Sequence, residues 1–105
     1  MPVPSRSGKA FVGILSAELH FPENGSLKGK RMYLRRIRDQ VTRGHGASFA
    51  EVGYQDLWQR SRVVLAVASS DLQVLEGTLD RLRVYLDTQE WVRASYVTEV
   101  VDVDA

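Results

Sequence analysis

The chain has 105 residues and no cysteine, with 44% hydrophobic and 26% charged residues. That is enough for one domain with its own core, and it excludes disulfide and thiolate chemistry. The net charge of +1 hides a split. Residues 1–62 hold 11 Lys/Arg against 5 Asp/Glu, a net of +6; residues 63–105 hold 3 against 8, a net of −5. Such an asymmetry points to a polar surface with one basic patch.

Residues 1–8, with Pro2, Pro4 and Gly8, read as a loose tail, and residues 9–105 as a single domain. The start carries no apolar stretch of the signal-peptide kind, and no run approaches the roughly 18 apolar residues of a membrane span. A soluble, cytoplasmic protein is expected, without a membrane partner.

Residues 10–21 (AFVGILSAELHF) predict the first strand. Phe11, Leu15, Ala17, Leu19 and Phe21 share one parity, hence one sheet face. The other parity passes from Val12 and Ile14 to the polar Ser16, Glu18 and His20. Pro22, Asn24 and Gly25 make a loop. Ser26 can cap a helix by accepting from its free backbone N–H groups. That helix is expected from Leu27 to about Arg43, with Leu27, Tyr33, Leu34, Ile37 and Val41 on its inner face and Gly44 and Gly46 ending it. Residues 47–54 predict a second strand and QDLWQR a connection. Residues 61–69 predict a third strand, whose continuous apolar run from Val63 to Ala68 implies a central position. Ser70 or Asp71 caps a second helix, Leu72 to about Thr88, lined by Leu72, Leu75, Leu79, Leu82 and Leu86. Residues 95–103 alternate as a fourth strand.

The order is βαββαβ, the α+β, ferredoxin-like pattern: a four-stranded antiparallel sheet with two helices on one face and the first and third strands in the middle. The other sheet face is left open, so a homodimer or another partner is expected to cover it.

Three segments carry a resemblance: SAELHFPENGSLKGKR, AEVGYQDLWQR and the apolar VVLAVAS followed by an amphipathic helix. In this order the chain resembles the YlxP-like family, or domain of unknown function 503, of bacterial proteins near 100 residues. The resemblance covers nearly the whole chain after the tail. It implies a ferredoxin-like fold and no known catalytic activity. It also implies a link to translation, because genes of the family often lie beside translation and ribosome-maturation factors. The PVPSRSG extension departs from the usual family start.

The strongest chemical signal is the first helix. Lys28, Lys30, Arg31, Arg35, Arg36, Arg38 and Arg43 face one carboxylate, Asp39. Guanidinium groups suit phosphate through paired N–H donors. These seven residues are the candidate contacts for RNA or a ribosomal particle, against the alternative of a plainly solvated face. Lys30 falls by helical phase within the apolar arc. It should either snorkel off the helix end or pair with Glu18, Glu51 or Asp56, fixing the helix start. Asp56, Trp58 and Arg60 in the connection are candidate partner contacts. Trp58 either stacks on a base or partner side chain or seals the sheet edge as a lid.

Enzymatic chemistry has no support. His20 and His45 face no obvious nucleophile, no phosphate or dinucleotide loop is present, and Glu18, His20 and Glu51 make a poor metal set. No cofactor is expected. The third strand lacks the aromatics of an RNA-stacking sheet and Glu18 would repel phosphate, so RNA should meet the helix rather than the sheet. A protein-interaction or homo-oligomeric module without nucleic acid is the alternative.

Overall fold

The computed structural model describes residues 8–103. The expected N-terminal tail thus lies, except for Gly8, outside the described residues. The elements follow in the expected order: β1 (Phe11–His20), α1 (Leu27–His45), β2 (Ser48–Gly53), β3 (Arg60–Ser69), α2 (Leu72–Thr88) and β4 (Arg93–Asp102). They form one antiparallel sheet in the order β2-β3-β1-β4, the ferredoxin-like arrangement.

The parity of β1 decides which face the helices cover. Leu15, Ala17 and Leu19 are buried, and their register partners Leu65, Val63 and Ser61 on β3 are buried beside them. α1 adds Leu34, Ile37 and Val41, and α2 adds Leu75, Leu79, Leu82 and Leu86. Apolar residues three and four apart along each helix supply these faces, so burial drives both elements onto the same side of the sheet. Leu72 differs from expectation. It is exposed, because the first turn of α2 sits beyond the packed layer, near Phe11 and Lys9.

Local chemistry fixes the helix ends. The Ser26 side chain accepts from the Gly29 N–H at 3.0 Å, and that of Asp71 from the Val74 N–H at 3.0 Å. α1 runs through Gly44 and stops at Gly46, whose φ of 66° turns the chain so that the next N–H, that of Ala47, donates back to the Val41 carbonyl at 3.0 Å. Only a residue without Cβ takes that conformation at little cost. Gly29 is required for space: a Cβ there would run into the Asn24 side chain.

A stacked series of side chains closes one end of the core. Tyr33 lies between Phe21 and Trp91, with ring centroids 5.4 and 5.0 Å away and the planes nearly parallel. The Arg36 guanidinium caps the series, 5.2 Å from the Trp91 ring centroid. Among the described residues no helix is long and apolar enough to cross a membrane.

The open face follows the other parity. Val12, Ile14, Val64, Ala66, Val97 and Val101 make its apolar half. Glu18, His20, Arg60, Arg62 and Arg93 make its charged half.

Candidate functional sites: a basic helix face and an anchored loop

The seven basic residues of α1 do not form one equivalent set. Lys28, Arg31, Arg35, Arg36, Arg38 and Arg43 are exposed. Lys30 is not; only 2% of it is accessible. Its place in the basic face is therefore corrected: its helical phase turns the side chain inward, where burial must be compensated. The ammonium donates to the carbonyls of Tyr54, Gln55 and Arg60 at 2.8, 3.1 and 3.2 Å. It also pairs with Glu51 at 3.2 Å, and Glu51 accepts from the Ser61 hydroxyl at 2.6 Å. Of the three carboxylates weighed for Lys30, the structure selects Glu51. Its carbonyl set went unseen in the sequence, since backbone acceptors leave no residue-type signature.

Arg36 is committed to the Tyr33 and Trp91 rings. Arg38 lies 3.5 Å from Asp39, with both groups about half exposed, so this contact holds the guanidinium weakly. Among the described residues Lys28, Arg31, Arg35 and Arg43 have no ion-pair, hydrogen-bond or ring partner. Lys28, Arg31, Arg35 and Arg38 follow one another at three- and four-residue steps, which aligns them along a row of about 15 Å. The arrangement runs against helix stability. No acidic residue stands in the first turn, where the helix dipole favours one. Each like-charge neighbour in the row costs about 0.2–0.5 kcal/mol.

The second site is the β2–β3 connection. Tyr54, the one non-glycine residue with positive φ among the described residues, has φ 56° and so turns its carbonyl toward Lys30. Asn24, itself buried, donates to the Trp58 carbonyl at 2.6 Å. The Phe21 N–H donates to the Gln59 carbonyl at 2.8 Å. The Gln59 side chain donates back to the carbonyls of Pro22 and Asn24. The loop's main-chain oxygens are thus tied to the β1–α1 turn and to Lys30.

Its side chains go the other way. Trp58 is 55% exposed and Leu57 46%. The lid reading of Trp58 is therefore corrected: the anchored carbonyls face the core and the indole faces outward. Asp56 is exposed beside it, and residues 56–60 enclose a shallow, mostly apolar hollow. Arg60 leaves the hollow for the open face, where it lies 4.6 Å from the Tyr54 ring centroid and 3.3 Å from Glu18. The sequence singled out Trp58 but not Asn24 or Tyr54, whose roles lie in backbone geometry.

Glu18 and His20 face the open side of the sheet, whereas Glu51 faces the helices. Among the described residues no group of three His, Cys, Asp or Glu could hold a metal ion.

Comparison with known proteins agrees with this architecture. Residues 12–103 match the model of DUF503, described as a protein of unknown function. The chain belongs to the DUF503 family. It is similar to the uncharacterized protein YlxP of Bacillus subtilis (strain 168), with 36% identity over 78 residues, 74% of this chain and 85% of that protein. Among solved structures it is similar in fold to the de novo designed protein Foldit4. The TM-score is 0.50 and the identity 14%, covering 85% of this chain and 96% of that one. The DUF503 match begins inside β1 and ends just past β4, so every element that carries the two sites lies within the family region.

Proposed function

We propose that this DUF503 protein is a non-catalytic binding protein that holds RNA, free or in a ribosomal particle, by its phosphate backbone through the exposed row on α1. The observation that carries the reading is the set Lys28, Arg31, Arg35 and Arg43, exposed and without partners among the described residues. An ordinary solvated helix interleaves acids with its bases. This one accumulates cations at a cost to its own stability, as sites kept for a ligand do. The contacts would be electrostatic and sequence-tolerant, since phosphate contacts position a nucleic acid without reading its bases.

The test is fluorescence anisotropy with a labelled RNA oligonucleotide, together with ribosome co-sedimentation, across a salt series. Three or four phosphate contacts give a log–log salt slope of about −3. Replacing Lys28, Arg31 and Arg35 by Gln should flatten it to about −1 and weaken binding at low salt by at least about tenfold. A parent protein that binds no RNA at about 50 mM salt, or a triple variant that binds unchanged, refutes the reading.

A second reading, a protein-interaction module, is favoured by the anchored loop. Trp58 and Leu57 stand exposed on a main chain already held at its carbonyls. Such preorganisation lowers the ordering cost of a contact, and tryptophan is over-represented among residues that dominate interfaces.

A further inference from the structure

The two edges of the sheet differ in a way that points to a partner. β2 is short, and its pairing with β3 is broken by a register shift between Glu51 and Gly53. Short, irregular edges resist pairing with another chain. β4 is the opposite: it runs from Arg93 to Asp102 in unbroken register with β1 and contains neither proline nor lysine. Val97 on this strand is 72% exposed.

The backbone phase of β4 is fixed by one bond. The Val103 N–H donates to the Ala10 carbonyl at 2.8 Å. In an antiparallel ladder, bonded and non-bonded pairs alternate. Val101, Glu99, Val97, Ser95 and Arg93 therefore bond to β1, whereas Ala94, Tyr96, Thr98 and Val100 turn their N–H and C=O groups outward. We propose that a second copy of this chain pairs there, β4 against β4, antiparallel, with Tyr96 on the two-fold axis.

Side-chain chemistry selects that register. Antiparallel partners share a sheet face, so a two-fold pairing matches residues of like parity. With Tyr96 opposite Tyr96, Arg93 of each copy stands opposite Glu99 of the other, and Ser95 opposite Val97. Arg93 and Glu99 have no partner among the described residues of their own chain. The pairing gives each one an opposite charge, twice per dimer. On the outward backbone groups, Tyr96 bonds Tyr96 and Ala94 bonds Thr98, for about six main-chain hydrogen bonds. Stacking two open faces is less well matched, because with apolar half on apolar half it sets Arg60, Arg62 and Arg93 of one copy against the same end of the other.

A seven-residue strand pairing is a small interface, in the class of transient contacts. Sedimentation velocity from about 10 µM to 1 mM should show reversible dimers within that range. Arg93→Glu or Glu99→Arg alone should raise the dimer Kd about tenfold, by setting like charges opposite each other twice, and the double exchange should restore it to within about threefold. Thr98→Pro removes an outward N–H that the monomer does not use, an edge position where proline is tolerated. It also removes the exposed hydroxyl that accepts from Arg83 at 2.9 Å, so it should abolish dimers while circular dichroism shows an intact fold and the melting temperature falls by no more than about 5 °C. A protein monomeric at 1 mM overturns the proposal. So does a dimer that survives Thr98→Pro, or one in which the double exchange fails to restore what the single exchanges remove.

Discussion

At the scale of single residues, Lys30 carries the most structural weight. It is a cation on the apolar arc of an amphipathic helix, a position where lysine is costly unless fully engaged. Four oxygens share its three N–H groups: the loop carbonyls of Tyr54 and Gln55, the carbonyl of Arg60 at the start of β3, and the Glu51 carboxylate. Through them one side chain joins α1, β2 and the β2–β3 connection. Lys30→Met keeps most of the volume but strands three carbonyls and a carboxylate that is largely withdrawn from water. We expect a loss of about 3 kcal/mol, within the range for breaking a buried ion pair. Urea denaturation would measure it. Hydrogen exchange at residues 54–60 should accelerate beyond what the global destabilisation explains, because the variant releases the loop before the core. A loss below about 1 kcal/mol would mean that the ammonium adds nothing to packing.

The elements differ in how far they could be read in advance. Both helices, the Ser26 cap and the parity of β1 were legible, since burial at helical or alternating spacing is written directly in residue type; between Ser70 and Asp71 the structure makes Asp71 the second cap. The bounds of α2 were met at both ends, and α1 ran slightly longer than expected because Gly44 is tolerated inside it. The loop sites were legible only in part. Trp58 and Lys30 stand out as residue types in the wrong place, but their partners are carbonyls, which every residue possesses. Trp91, between α2 and β4, belongs to a stack with Tyr33, an encounter across the fold that spacing does not encode. α2 and β4 are further coupled by the Tyr96 hydroxyl, which donates to Asp87 at 2.6 Å. That bond to a carboxylate, more than desolvation, raises the phenol's pKa above its ordinary 10.0; burial raises that of Tyr85 on α2 likewise. A phenol whose folded pKa is raised stabilises the fold below its unfolded value, and the contribution is lost as pH climbs through the folded value. Stability should therefore fall above pH 10. The paired change Tyr85→Phe and Tyr96→Phe should flatten that alkaline limb. Urea midpoints at pH 9, 10 and 11 would decide it; an equal slope in parent and variant would assign the decline to other groups.

At the scale of the whole molecule, the charge split of the sequence acquires a place. The positive excess sits on the exposed side of α1, while α2 turns Glu76, Asp80 and Asp87 outward on the same layer. A chain of net charge +1 therefore presents a concentrated cationic row to a polyanion, and the neighbouring acids discourage binding across the whole helical layer. The anchored loop answers to a different force. Trp58 and Leu57 offer apolar area, which salt does not weaken, whereas the α1 row is screened over about 8–10 Å at ordinary ionic strength. The two surfaces should thus be separable in one set of pull-downs from the native cell. Gln at Lys28, Arg31 and Arg35 should remove only what nuclease or moderate salt also removes. Trp58→Ala should remove only what survives both, and leave the RNA salt slope unchanged. If Trp58→Ala instead weakens RNA binding about tenfold at constant slope, the indole stacks on an unpaired base and the two surfaces are one site. If neither variant changes what is captured, neither surface is the one the protein uses.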